Sequence, residues 1–175
     1  MLTMRRILIQ IIANPQYLFQ YNIFIETSTG NGDMAAWASD LFDDVYSIET
    51  RIRHHNHAAL KYGDMYNIDF LPGDPRILLP LILEGLTVPC VFWLNAQLGD
   101  ELNAIVRHSW EHKLAHLILI DNIDMGLLTE VLAEADNMVG HYLYHICQGA
   151  IILYPDNMDE LVETITTKAT TVNSS

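Results

Sequence analysis

Short β-rich runs alternate with segments of helical period along nearly the whole chain, and no other feature constrains the fold as much. The strand-like runs are "NIFIETS", "DVYSIET", "IDFLPGD", "VPCVFWLNA", "HLILIDN", "HYLYHIC" and "GAIILYP". Between them lie "DMAAWASDLF", "RIRHHNHAALKYGDM", "RILLPLILEGL", "ELNAIVRHSWEHK" and "GLLTEVLAEA", whose apolar spacing suits helices. Strand–helix alternation with right-handed crossovers implies an α/β, doubly wound, mostly parallel sheet. Continuous apolar runs such as "CVFWL" and "LILI" suit strands covered on both faces. Only Gln148 and Gly149 separate the last two strand-like runs, so an antiparallel C-terminal hairpin is expected at or near the sheet edge.

The flanks and composition set the outer limits. The opening "MLTMRRILIQIIANPQ" reads as an amphipathic helix ending at Asn14-Pro15; its apolar run is too short for a signal peptide and lacks a small-residue cleavage site. The polar "TTKATTVNSS" reads as a frayed tail over residues 166–175, leaving one domain over residues 1–165. With 175 residues, half of them apolar, the chain can bury a substantial core. A formal net charge of −13 repels phosphate backbones and anionic membranes, so neither nucleic acid nor membrane is expected as a partner. No stretch is long enough to span a bilayer, and the expected location is the cytoplasm. Cys90 and Cys147 both lie in apolar runs and read as small hydrophobes rather than a disulfide.

In an open α/β sheet, ligands bind beyond the carboxyl ends of the strands. Those ends carry Glu26 with the loop Thr27–Gly32, then Glu49, Gly73-Asp74, Asn95 and Asp121-Asn122. A glycine loop before a helix either lets backbone approach a ligand or simply makes a tight turn. Glu49 follows the glycines by about 20 residues at the end of the second strand, where a carboxylate can accept both hydroxyls of an adenosine ribose. The two features together favour a nucleotide-like cofactor. The loop lacks the three spaced glycines of a nicotinamide-cofactor fingerprint, which argues against an oxidoreductase.

The stretch "FIETSTGNGDMAAWASDLFDDVYSIE" resembles the first two strands of class I S-adenosylmethionine-dependent methyltransferases. It is similar, more narrowly, to a branch with a "FIETGT…GDT" opening, a "VYSIE" second strand and a "FWLDAH" fourth strand. The likeness continues through "LPGD", "VFWLNAQ" and "LILIDN". It implies S-adenosylmethionine as cofactor, with Glu26, Ser28, Gly30 and Gly32 around its methionine end. By the same resemblance Glu49 would bind the ribose and Asp74 the adenine amino group. Asn95 falls where such enzymes often place a substrate-facing or catalytic polar residue, and Asp121-Asn122 resembles the pair closing strand five in cation-dependent O-methyltransferases.

Three positions depart from the pattern. Ser28 stands where the branch has its first glycine, and Asn95 and Gln97 replace the Asp and His of "FWLDAH". Neither Asn95 nor Gln97 can act as a base, which leaves Asp121 and Asp124 as candidates to deprotonate a hydroxyl acceptor. Asn95, Asp121 and Asn122 offer one formal negative charge between them, too little for a dedicated magnesium site. The expected activity is methyl transfer to an unidentified small-molecule or glycan-type acceptor. Rival readings are a protein that binds or cleaves the cofactor without methyl transfer, and an inactive interaction protein that keeps the fold, with an oligomer interface.

Outside this pattern, His54, His55 and His57 point to different faces of one helix. His108 and His112 have the i, i+4 spacing of a zinc pair, but the reading favours a polar helix face. Trp37 reads as core. Tyr46, Tyr62 and Tyr66 are candidates to flank a cofactor cleft, with none of them assigned a position. "RILLPLILEGL" is apolar nearly all round, so it is either deeply buried or an oligomer contact.

Overall fold

A computed structural model describes residues 2–17, 20–95, 100–123, 125–147 and 149–172. The elements follow in the order α1 (Leu2–Ile12), β1 (Ile23–Glu26), α2 (Asp33–Ser39), β2 (Asp44–Glu49), α3 (Ile52–Tyr62), β3 (Ile68–Pro72) and α4 (Pro75–Glu84). Then come β4 (Cys90–Asn95), α5 (Glu101–His112), β5 (Leu117–Asp121), α6 (Met125–Ala135), β6 (Tyr142–Cys147), β7 (Ala150–Pro155) and α7 (Asp159–Val172). One seven-stranded sheet has the order β3-β2-β1-β4-β5-β7-β6. β1 to β5 pair in parallel, and β7 inserts antiparallel between β5 and β6. The hairpin therefore places its antiparallel strand one position in from the edge. Gln148 of its link lies outside the described residues.

Alternation along each strand divides the core in two, because successive side chains point to opposite faces. Phe24, Val91, Trp93, Leu117 and Leu119 meet α1, α2 and α7 on one face. Ile23, Ile25, Phe92, Leu94, Ile118 and Ile120 meet α4, α5 and α6 on the other. Met4, Ile7, Leu8 and Ile11 form a buried stripe on α1 at helical spacing, which pins that opening helix to the sheet. Trp37 packs partly buried against the same cluster.

Two expectations change here. Residues 159–172 form a helix rather than starting a frayed tail at residue 166: Val162 and Ile165 are buried in the core, and the buried Thr166 hydroxyl donates to Val162 O at 2.8 Å. α4 is neither wholly buried nor all surface. Leu79 and Leu83 are buried, whereas Ile77 and Leu81 remain 63% and 57% exposed. Pro80 lies inside it, and Pro75 starts it where a missing N–H costs no helix bond. Cys90 is buried, and burial pushes its thiol up to about 12; it behaves as a hydrophobe. The Cys147 side chain lies outside the described residues. Among the described residues, no helix is long and apolar enough to cross a membrane.

Candidate functional site

Parallel register aligns the strand ends and so assembles the polar residues. Glu26 at the end of β1 sits level with Ser47 on β2 and Trp93 on β4, while Asn95 and Asp121 are direct neighbours on β4 and β5. Two clefts open along this edge and share Ser28 and Asn95. The outer cleft, about 470 Å³, is lined by Glu49, Arg51, Asp74, Arg76 and Glu101 besides the shared pair. The inner cleft, about 240 Å³, is lined by Arg5, Glu26, Trp93, Asp121 and Asn122 among others. Their combined size suits a small-molecule ligand.

Glu26 is the most unusual group in the site. It is 1% exposed, and burial raises its carboxyl to about 8, so it holds a proton at neutral pH. Glu49 raises it further, while Ser47, Arg5 and the Ala35 N–H pull the other way. The Ser47 hydroxyl donates to Glu26 Oε1 at 2.6 Å, and Thr29 Oγ1 lies 2.6 Å from Ser47 Oγ. Since Ser47 spends its proton on Glu26, the second bond is donated by Thr29. The sequence offers no sign of this chain, because sheet register alone joins its members.

Glu49 is 5% exposed and organises the loop as well as lining the outer cleft. Its Oε2 accepts from Gly30 N and its Oε1 from Arg51 N, both at 2.9 Å. Gly30 and Gly32 have φ of 56° and 80°, which favour glycine. Neither glycine lines either of these two clefts. A Cβ at Gly32 would lie 2.9 Å from both Ala58 and Tyr62, so that glycine serves the contact between α2 and α3. The loop instead presents Thr27, Ser28, Thr29 and Asn31 to the clefts.

Asp74 lines the outer cleft and also caps α4, accepting from Arg76 N at 2.9 Å and pairing with the Arg76 side chain. Both contacts hold its carboxyl below the usual range. Asp121 lies at the inner cleft, where its Oδ1 accepts from Asn122 N at 2.9 Å; Asn122 takes the left-handed φ of 58° that asparagine tolerates. Asp124 and Gln97 lie outside the described residues. Tyr46, Tyr62 and Tyr66 line neither cleft: Tyr62 bonds Asp33, Tyr46 packs on the core, and Tyr66 stands in solvent.

Nothing in the sequence distinguishes Arg5, one of two adjacent basic residues in an amphipathic helix. The structure brings it to the inner cleft with its guanidinium carbon 5.2 Å from the Trp37 ring centroid. Its Nε is buried and has no hydrogen-bond partner among the described residues.

His108 is not on a polar face. It is buried and forms a chain with His116, which lies just before β5. Cys90 N donates to His116 Nδ1 at 3.1 Å, so the neutral His116 ring carries its proton on Nε2. That proton points to His108 Nδ1 at 3.1 Å, and His108 Nε2 donates to Leu86 O at 2.8 Å. Burial pushes His116 down to about 3 and also lowers His108. Both nitrogens of each ring are used, tying α5 to the α4–β4 connection at Leu86 and, through His116, to β4.

No protein-family model matches the chain, and no curated protein matches it in sequence. Solved structures do match in shape. A precorrin 8w decarboxylase from Methanobacterium thermoautotrophicum has a TM-score of 0.58 at 16% identity, over 86% of this chain and 89% of that one. A precorrin-6y C5,15-methyltransferase from Geobacter metallireducens has 0.59 at 12% identity, over 84% and 83%. The class I methyltransferase fold is present. A third match, human methyltransferase 10 domain containing protein, has 0.58 at 16% identity, over 88% and 82%. At these identities the likeness establishes the architecture alone.

Proposed function

We propose that the chain binds S-adenosylmethionine along the carboxyl edge of β1, β2 and β4 and transfers its methyl group to a small acceptor. One observation carries this reading: two buried carboxyl groups, Glu26 and Glu49, end adjacent parallel strands and line contiguous clefts. Buried carboxyl groups are costly to keep without a use. Glu49, fixed by Gly30 N and Arg51 N, would receive the ribose hydroxyls in the outer cleft, and Asp74 at the far wall would lie toward the adenine. Glu26 and Ser28 would bound the methionine end in the inner cleft. When bound, the cofactor supplies an electrophilic methyl group.

The chain's own contribution would be alignment: Asn95, shared by both clefts, would orient an acceptor beside the cofactor. Asp121, its neighbour in register, is the described carboxylate placed to take a proton from a hydroxyl acceptor; Asp124 remains the second candidate. The neutral Asn95 supports the rival reading, cofactor binding without transfer. Incubation with S-adenosylmethionine and candidate acceptors, followed by identification of every adenosine-containing product, tests both. Methyl transfer yields S-adenosylhomocysteine, cleavage yields 5′-methylthioadenosine or adenosine, and unchanged cofactor with every acceptor counts against an enzyme.

A further inference from the structure

The sheet ends on β3 at one side and β6 at the other, and the two edges are built differently. β3 carries Asp69, ends at Pro72, and has His55 Nε2 of α3 at 3.1 Å from its Phe70 carbonyl oxygen. Charges, prolines and covering side chains are the usual means of keeping an edge strand from pairing. β6, which reads Tyr142-Leu143-Tyr144-His145-Ile146-Cys147, contains no Asp, Glu, Lys, Arg or Pro. Its tyrosines and isoleucine are strong strand formers. β7 is its sheet neighbour on one side, and among the described residues no strand lies on the other.

The ladder to β7 fixes which backbone groups of β6 face outward. Asp156 N donates to His141 O at 2.9 Å, one step beyond the Tyr142–Pro155 pair. Hydrogen-bonded and non-hydrogen-bonded pairs alternate along an antiparallel ladder. Leu143, His145 and Cys147 therefore direct their N–H and C=O groups to β7, and Tyr142, Tyr144 and Ile146 direct theirs outward. Pro155 agrees with this register, since it stands opposite Tyr142, where the ladder to β6 requires no N–H. The side chains of Tyr142, Tyr144 and Ile146 share one face of the sheet. Tyr142 packs on the core there, whereas Tyr144 and Ile146 stay 50% and 43% exposed.

We propose that β6 pairs antiparallel with β6 of a second copy of this chain, on a twofold axis through Tyr144, joining two sheets into one. The outward groups are self-complementary in that register: Tyr144 exchanges two bonds with the partner's Tyr144, and Tyr142 exchanges two with the partner's Ile146. The side chains then meet as an aromatic on a β-branched residue, a favoured cross-strand pair, with no like charges opposed. An unrelated extended peptide would use the same backbone groups but would not bring these partners to Tyr144 and Ile146. Charge selects the same seam, because a net charge of −13 makes two copies repel and β6 brings no acid to their contact. The contact is isologous, so it closes as a dimer and does not propagate. A six-residue strand makes a seam about 20 Å long and about 10 Å deep. That is small against the roughly 1,200 Å² that stable complexes bury, so the dimer is reversible, with a Kd of about 10–500 µM. The proposal is independent of the cofactor reading.

Sedimentation equilibrium of the full chain from about 5 to about 500 µM tests it. The expected result is a monomer–dimer equilibrium that strengthens as salt rises from about 0.02 M to about 0.5 M, since salt screens the repulsion between acidic copies and the seam itself is uncharged. Tyr144→Pro deletes an outward N–H and no bond to β7, and Ile146→Lys adds a charge to the seam in each copy; each should weaken dimerisation at least about tenfold. Tyr66→Lys makes the same charge change as Ile146→Lys on another exposed side chain and should leave the association unchanged. Amide hydrogen exchange on the wild-type chain locates the seam without any variant. The Tyr144 and Ile146 amides should gain protection as protein concentration rises, and those of Leu143 and His145, bonded to β7 in either state, should change less. A chain that stays monomeric at about 500 µM in high salt overturns the proposal. So does a dimer indifferent to both β6 variants, or one in which the Tyr144 and Ile146 amides exchange at the monomer's rate.

Discussion

Replacing Glu26 by glutamine should make the protein relatively more stable as pH rises, a gain where a buried polar substitution would ordinarily cost. The folded carboxyl is raised to about 8 from an ordinary 4.5, chiefly by burial. Below pH 4.5 the group is protonated in both folded and unfolded chains and exerts no pH-dependent effect. Between 4.5 and about 8 the unfolded chain ionises Glu26 while the folded chain keeps its proton, so stability falls through this window. Above about 8 the penalty is constant. At about 1.4 kcal/mol per pH unit, the gap sets a ceiling of about 5 kcal/mol, reduced by any local relaxation that admits water. The amide of the Glu26→Gln variant keeps an oxygen to accept from Ser47 and never ionises, so the penalty disappears. Urea unfolding of both proteins at about pH 5 and about pH 8.5 isolates the effect, since the background charge of −13 is common to both apart from this one group. Relative to wild type, the variant should gain at least about 1 kcal/mol between the two pH values. A difference that stays constant, or moves the other way, would refute the protonated, buried Glu26.

Three further outcomes follow from the same geometry. Glu49→Ala should weaken S-adenosylhomocysteine binding by about 1–3 kcal/mol through lost charge-assisted hydrogen bonds and a loosened Gly30 turn, read by calorimetry. His116 is neutral and buried with a value near 3, so its contribution is complete above an ordinary 6.5 and is lost as pH falls toward 3; His116→Gln should flatten that acid limb in thermal melts between about pH 6.5 and about pH 4.5 while lowering stability at neutral pH. Any methyl transfer should persist in chelator, because Asn95 stands where the resembled branch has an acid and Asp121 is the one carboxylate of the Asn95–Asp121–Asn122 group; loss of turnover on chelation with rescue by magnesium would contradict this, and Asn95→Asp should then strengthen metal binding.

Strand–helix order was readable because each strand run is strongly apolar and each helix run has a clear period. The same patterning located the strand ends, and with them Glu26, Glu49, Asn95 and Asp121. α7 was obscured by its threonines, weak helix formers that hide the buried Val162 and Ile165. His108 looked like surface because its partner His116 follows the helix by several residues and meets it only through the packing of β5 on α5. The roles of the two loop glycines were also a matter of packing: Gly32 is required by Ala58 and Tyr62 on α3, which no local pattern shows. Arg5 belongs to the site only because the buried stripe of α1 fixes which way the helix is turned against the sheet. Local chemistry marked the candidates, and tertiary register decided which of them share a cleft.

Amide chemical-shift mapping of the full chain during titration with S-adenosylhomocysteine reads out whether an S-adenosyl ligand binds at the carboxyl edge of this sheet. Saturable shifts are expected at the ends of β1 to β4, including Glu26, residues 27–32, Glu49 to Arg51, Asp74 and Asn95, with the edge strand β6 unmoved. An unchanged spectrum at millimolar ligand, or shifts centred on another face, would contradict it.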